Sequence, residues 1–285
     1  MIKAIKSVAV GARVRWWMGV QRSLSVIGLL WLLTEVATYL FPALAPWFQK
    51  NSDGAIVALI IVSVCAFVGT VYSPRQVDFE IPTTQTKLTI KYGDVFDENA
   101  DVIVAVNEFF DGALGNIVSP ASVHGQFVIR YFNSMESAFR GAIDPLLSFF
   151  QGVQQTRAVQ PDISFPVGTT VKVSLGQKDA YLVALTTTDL QTHKATTTVG
   201  NLWIALTNML DSVHHLSGGR AIAMPLIGNG LSGLNLQPQH LLRLLVLAII
   251  MTARRNQLPN SISIVLHEDC FDKLDLLEIR RNWRI

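Results

Sequence analysis

The stretch Gly228-Asn229-Gly230-Leu231-Ser232-Gly233 follows directly on the apolar run Ala221-Ile222-Ala223-Met224-Pro225-Leu226-Ile227. Glycines placed just after a short strand let backbone N–H groups come close to phosphate oxygens, in turns that a Cβ forbids. Ligands of α/β folds collect at the carboxyl ends of strands, which is where this loop would lie. The same pattern also makes a plain tight turn, and the loop alone does not decide between the two. Other chemistry-bearing groups are sparse. His267 and Cys270 offer too few ligands for a zinc site, and neither a Ser-His-Asp elbow nor a Walker loop is present. No catalytic residue, metal or cofactor is therefore expected. His214-His215 ends a helical pattern beside Ser217-Gly218-Gly219 and reads as a cationic cap. In Thr186-Thr187-Thr188-Asp189 a hydroxyl such as that of Thr187 can reach a ligand, although a threonine run is first of all β-propensity.

The elements that position these groups fall into two compositional parts. Of the 285 residues 50% are hydrophobic and only 15% charged, against ~25% in an ordinary soluble domain. Two apolar runs near the N-terminus, residues 24–41 and 55–73, account for the excess. Each approaches the ~17–25 residues that cross a bilayer as a helix. Pro- and Gly-bearing PALAPWFQKNSDG joins them, so the expectation is a two-helix transmembrane hairpin. Lys3, Lys6, Arg13, Arg15 and Arg22 make residues 1–23 a basic N-terminal segment without an acid, and Arg75 follows the second run. The positive-inside rule then puts both termini in the cytoplasm, as for a multi-pass protein of a cell membrane. Residues 1–23 can also lie along the membrane surface. Glu35 interrupts the first run. It is either protonated or hydrogen-bonded locally, or it lines an assembly interface or pore.

Residues 74–86 read as a linker or edge segment, and residues 87–285 as an α/β domain. Strands are expected at 87–92, 101–106, 170–175, 181–187, 221–227 and 261–267. Helices are expected at about 125–150, 199–216, 238–255 and 271–281. In DVIVAV at 101–106 every residue after Asp101 is apolar, the pattern of a strand covered on both faces. Strands alternating with helices argue for a sheet between two helical layers. The two cysteines, Cys65 in an apolar run and Cys270 in the domain, give no disulfide framework. Net charge of +2 gives nucleic-acid binding little support.

Within that domain, Gly93-Asp94-Val95 ends one strand, and Asp101-Val102-Ile103-Val104-Ala105-Val106-Asn107 ends the next with an asparagine. A long loop to Gly125 follows, and then the Gly228–Gly233 loop. In this order the pieces resemble the macro domain, a three-layer α/β/α module with a mixed sheet that binds ADP-ribose. The resemblance implies that Asp94 accepts a hydrogen bond from the adenine amino group, with the Val95 amide at the ring. It implies that Asn107 faces the distal ribose, and that Gly228, Asn229, Gly230, Leu231, Ser232 and Gly233 wrap the diphosphate. By themselves Asp94 and Asn107 also fit turn or capping roles.

The first loop departs from the glycine run of hydrolytic macro domains. Phe109-Phe110-Asp111 and Ser119-Pro120-Ala121-Ser122-Val123-His124-Gly125-Gln126-Phe127 stand there instead, which is similar to the divergent macro domain of Thoeris anti-phage effectors. With its two-span anchor the whole chain resembles the type II Thoeris effector. That resemblance implies a receptor, not an enzyme; the alternatives are a membrane-anchored ADP-ribosyl hydrolase and a passive reader of ADP-ribosylated proteins. Its ligand would be a nucleotide signal made from NAD by a TIR-domain partner, an ADP-ribose conjugated to histidine. Binding would drive self-association into homo-oligomers among membrane lipid, and death or arrest of the infected cell. A histidine conjugate needs a pocket beyond the distal ribose, for which Asp111, Gly112, Ser122, His124 and Gly125 of the long loop are the candidates.

Overall fold

The structure, a computed structural model, describes residues 2–192, 194–230, 234 and 236–283. The chain divides into two units, Met1–Arg75 and Gln76–Ile285.

The first unit is a helical hairpin of α1 (Ile2–Leu40), α2 (Ala45–Lys50) and α3 (Ser52–Val71). Both long helices are apolar enough to cross a membrane, and Trp31, Leu32, Ile56 and Ile60 leave their side chains exposed. Residues 2–23 form the first part of α1 and pack on the end of α3. Arg15, where the backbone of α1 leaves helical geometry (φ −123°, ψ 17°), donates to the carbonyls of Val71 at 3.2 Å and Tyr72 at 3.1 Å. Those are carbonyls that the end of α3 leaves without intrahelical partners. Gly11 and Gly19 flank Arg15 on the same face. A Cβ on Gly11 would collide with the Val71 carbonyl, and one on Gly19 would lie 2.8 Å from the Phe67 ring. Ser23 Oγ donates to Ser63 O at 2.9 Å and so sets the antiparallel register. Following that register places Glu35 near the connector, in a groove it shares with Thr34, Trp47 and Asn51.

The second unit contains β1 (Gln76–Glu80), β2 (Lys87–Tyr92), β3 (Asp101–Asn107), α4 (Val123–Phe132), α5 (Glu136–Leu147), β4 (Val153–Gln154) and β5 (Ile163–Ser164). After these come β6 (Thr170–Ser174), β7 (Asp179–Thr188), β8 (Ala195–Thr196), α6 (Val199–Leu216), β9 (Ile222–Pro225), α7 (Pro238–Arg255), β10 (Ser261–Leu266) and α8 (Leu276–Asn282). The main sheet runs β1-β2-β10-β9-β3-β7-β6, with β8 on the end of β7. The five central strands are mutually parallel, while β1 and β6 are antiparallel borders.

Alternation along the central strands builds two cores. Val102, Val104 and Val106 of β3 and Ala180, Leu182 and Ala184 of β7 face α4 and α5. Ile103, Tyr181, Val183 and Leu185 face α6 and α7 on the other side. A strand with apolar residues on both faces can be stable only between two such layers. The result is a three-layer α/β/α domain with a mixed sheet.

Two stretches left open by the sequence are settled in detail. Of the alternatives linker or edge segment, residues 76–80 take the second as β1, an edge strand whose Val77 is buried while Gln76, Asp78 and Glu80 are exposed. The helical patterns expected over 125–150 form two helices, α4 and α5. Asn133 and Ser134 both adopt positive φ, 51° and 61°, and a left-handed pair cannot continue a right-handed helix.

Candidate functional site

Because β2, β10, β9, β3 and β7 run the same way, their carboxyl ends form one edge of the sheet. Asp94, His267, Gly228, Asn107 and Thr187 all lie at or just beyond those ends. The ladder between β3 and β9 consists of Asp101↔Ile222 and Val102↔Ala223. Beyond it, β3 stays paired with β7 as far as Asn107, and β9 with β10 as far as Pro225. Pro225 has no N–H to offer a neighbouring strand. A seam therefore opens toward the carboxyl edge between β3 and β9, the place where α/β sheets admit ligands.

The glycine loop borders that seam. Asn229 N–H donates to Leu226 O at 3.3 Å, and Gly228 sits inside this turn at φ +89°, a conformation glycine takes without steric cost. A Cβ on Gly228 would also press on Leu241, 3.3 Å away. Asn229 and Gly230 are exposed, and Asn229 Nδ2 donates to the buried Cys270 thiol at 3.3 Å. Burial pushes that thiol's pKa up. Leu231, Ser232 and Gly233 lie outside the described residues.

At the next strand end, Asp94 caps the short 3₁₀ turn Val95–Asp97. Its Oδ1 accepts from Phe96 N–H at 3.0 Å and its Oδ2 from Arg130 of α4 at 2.6 Å. Burial works against the carboxylate, but Phe96 N–H and Arg130 hold its pKa below the ordinary value. Val95 is buried behind it.

The long first loop is built as core. Phe109 and Phe110 are fully buried, the latter at φ +53°. Asn107 Nδ2 donates to Asp111 Oδ2 at 2.6 Å, and Asp111 N–H returns a bond to Asn107 Oδ1 at 3.0 Å. Asp111 also receives both guanidinium arms of Arg157, at 2.9 and 2.8 Å, and the two side chains are 0% exposed. Asp111 thus points inward and orders the loop.

Three further candidates hold backbone in place. Ser122 Oγ accepts from Gly125 N–H at 3.0 Å and donates to Ser119 O at 2.7 Å, capping α4. A Cβ on Gly125 would collide with the Ser119 carbonyl, and one on Gly112 would lie 2.6 Å from the Phe139 ring.

His124 is buried against Phe139, ring centres 5.9 Å apart. Desolvation pulls its pKa down to about 4, against a hydrogen bond with the Asp111 backbone. The neutral ring keeps Nε2 buried without a partner. Thr187 is exposed and reaches Thr196 O of β8 at 3.4 Å.

Sequence reasoning missed Glu108, Arg130 and Arg157. Glu108 is half-buried, accepts from Thr188 N–H at 2.9 Å, and has its carboxyl pKa raised by burial. Arg130 and Arg157 stand 36 and 46 residues from the carboxylates they bind, and no local pattern joins them.

A mixed sheet between two helical layers, opened at its carboxyl edge and bordered by a glycine turn, is the macro-domain architecture. Three solved structures of the Oceanobacillus iheyensis macrodomain match it. One is a mutant at TM-score 0.52 and 16% identity, covering 73% of this chain and 97% of that one. Another mutant, with ADPR, matches at TM-score 0.50 and 15% identity over 73% and 98%. A third mutant matches at 0.50 and 14% over 73% and 93%. No curated protein matches the chain. The family described as Thoeris protein ThsA, Macro domain, matches residues 88–267, and the chain belongs to that family.

Proposed function

We propose that this protein is a membrane-anchored receptor of the Thoeris anti-phage defence system, and not an enzyme. Its macro domain, on the cytoplasmic side of a bacterial cell membrane, binds an ADP-ribose-type signal, namely the histidine conjugate made by a TIR-domain partner. The observation that carries this reading is the seam between β3 and β9, with Asp94, Asn107 and Gly228 at strand ends along the same edge, in a chain of this family. A related macrodomain has been solved with ADPR, which supports the same ligand class here. In the proposed pose Asp94 takes the adenine amino group, Gly228–Gly233 the diphosphate, and Asn107 and Thr187 the distal ribose.

The first loop supports binding without turnover. Phe109, Phe110 and the Asp111–Arg157 pair fill it from within, where hydrolytic relatives carry a run of glycines. With Asp111 and Ser122 already engaged and His124 buried, the conjugate's histidine would meet the half-buried Glu108. The anchor gives binding its consequence. A ligand that favours the assembled state shifts the population by its differential affinity. Confinement to a bilayer raises effective concentration for oligomers that disrupt the membrane and end the infection.

Titrating the full chain in detergent with the histidine conjugate and with plain ADP-ribose tests the reading. Both ligands are expected to bind and remain intact, the conjugate more tightly, and Glu108→Gln to lower the preference. Hydrolysis of the ligand, or no binding of either, would overturn it.

A further inference from the structure

Asp94 is held by more than its own turn. Its two oxygens are divided between Phe96 N–H at 3.0 Å and Arg130 Nη2 at 2.6 Å. The guanidinium of Arg130 lies 4.9 Å from the centre of the Phe96 ring, and its Nη1 stands 3.9 Å from Asp97 Oδ1. Carboxylate, aromatic face and second carboxylate together fix the plane of Arg130. Asp94 and Arg130 nonetheless remain 36% and 37% exposed. An ion pair that open to water contributes little to stability, so its main consequence is orientation.

An aspartate without such partners turns more freely about its Cβ–Cγ bond and is more readily protonated beside an acceptor. With one lone pair on each oxygen spoken for, Asp94 keeps lone pairs in fixed directions for an incoming N–H. The groups that face it are Arg130 from α4, Asp97 from the 3₁₀ turn and His267 after β10.

We infer that Arg130 is a positioning residue that sets base specificity: by fixing Asp94 as an acceptor, it makes the subsite take an exocyclic amino group and refuse a carbonyl. This rests on reading Asp94 as the adenine acceptor. Adenine offers N6–H there, whereas hypoxanthine offers O6, which meets a fixed negative charge with no proton between them.

The test titrates the full-length protein in detergent with ADP-ribose and with inosine diphosphate ribose, as wild type, Arg130→Ala and Arg130→Lys. The wild type is expected to prefer the adenine ligand by about tenfold or more, the discrimination of one good polar contact. Arg130→Ala is expected to lose most of that ratio through weaker adenine binding, with inosine binding unchanged. Arg130→Lys, which keeps a cation but not the stacked plane, is expected to fall between the two. Adenine binding by Arg130→Ala is also expected to fall at a higher pH than in the wild type, as Asp94 takes its proton sooner. Equal losses for both ligands, or an unchanged ratio in both variants, would overturn the role of Arg130 alone. A wild type that binds neither ligand would overturn the ADP-ribose reading itself, and one that binds both equally would overturn the adenine role of Asp94. Each of those results overturns the inference too.

Discussion

Asp111 and Arg157 meet as a two-pronged ion pair at 2.9 and 2.8 Å, with both side chains wholly buried. The guanidinium also lies 4.1 Å from the centre of the Phe109 ring. Removing one partner leaves the other charge buried and unpaired, at a cost of about 3–5 kcal/mol. Asp111→Ala and Arg157→Ala are each expected to lower unfolding stability by that order. Asp111→Ala combined with Arg157→Ala is expected to cost less than the two single losses added together. Denaturant unfolding of the four proteins checks this; a strictly additive double variant would show that the pair is not coupled.

Gly228 carries the turn that brings the glycine loop to the seam. A non-glycine residue at φ +89° meets a strain of ~1–2 kcal/mol. Gly228→Ala is therefore expected to weaken ADP-ribose binding by about tenfold. Gly230→Ala, with nothing within 4 Å of its Cβ position, is expected to cost less. Calorimetric titration of both variants decides whether the loop's conformation matters to the ligand.

His124 makes acid stability diagnostic. Its folded pKa of about 4 lies below the ordinary 6.5, so below pH ~6.5 the unfolded chain takes up a proton that the folded one refuses. This contribution is complete above that pH, declines through the window from 6.5 to 4, and is then exhausted. Its slope reaches at most ~1.4 kcal/mol per pH unit. His124→Gln is expected to flatten the stability curve over that window. Urea unfolding at a series of pH values measures the difference, and parallel curves for variant and wild type would refute it.

Much of this site is readable from the sequence because its signals are local. The apolar β3, the glycine turn after β9 and the acidic turn after β2 each announce themselves within seven or fewer neighbouring residues. β1 is not readable in the same way. QVDFE mixes charge with two apolar residues, and only pairing with β2 makes it a strand. The partners of Asp94 and Asp111 are unreadable for a different reason. Arg130 and Arg157 come from a helix and a later loop, brought in by the packing of Phe127, Phe139 and Phe165 rather than by spacing. Asp111 itself has the right residue type and the right loop for a ligand contact. Only the structure reveals that its charge faces inward.

Arg15 gives the hairpin its own prediction. It holds the carbonyls of Val71 and Tyr72 and the hydroxyl of Ser73 at 2.9–3.2 Å. Arg15→Ala leaves these groups unpaired, each at about 1–3 kcal/mol where buried. Limited proteolysis of the protein in detergent is expected to cut faster around residues 72–76 in this variant, and an unchanged cleavage rate would refute the clamp.

In the proposed function, nucleotide binding at the seam drives assembly without consuming the ligand. Mass photometry of the detergent-solubilised protein, with the histidine conjugate of ADP-ribose added and its integrity followed by chromatography, tests it most directly. Growth from small particles into larger oligomers, with the ligand recovered intact, is the expected result. Particles of unchanged size at saturating ligand would contradict it.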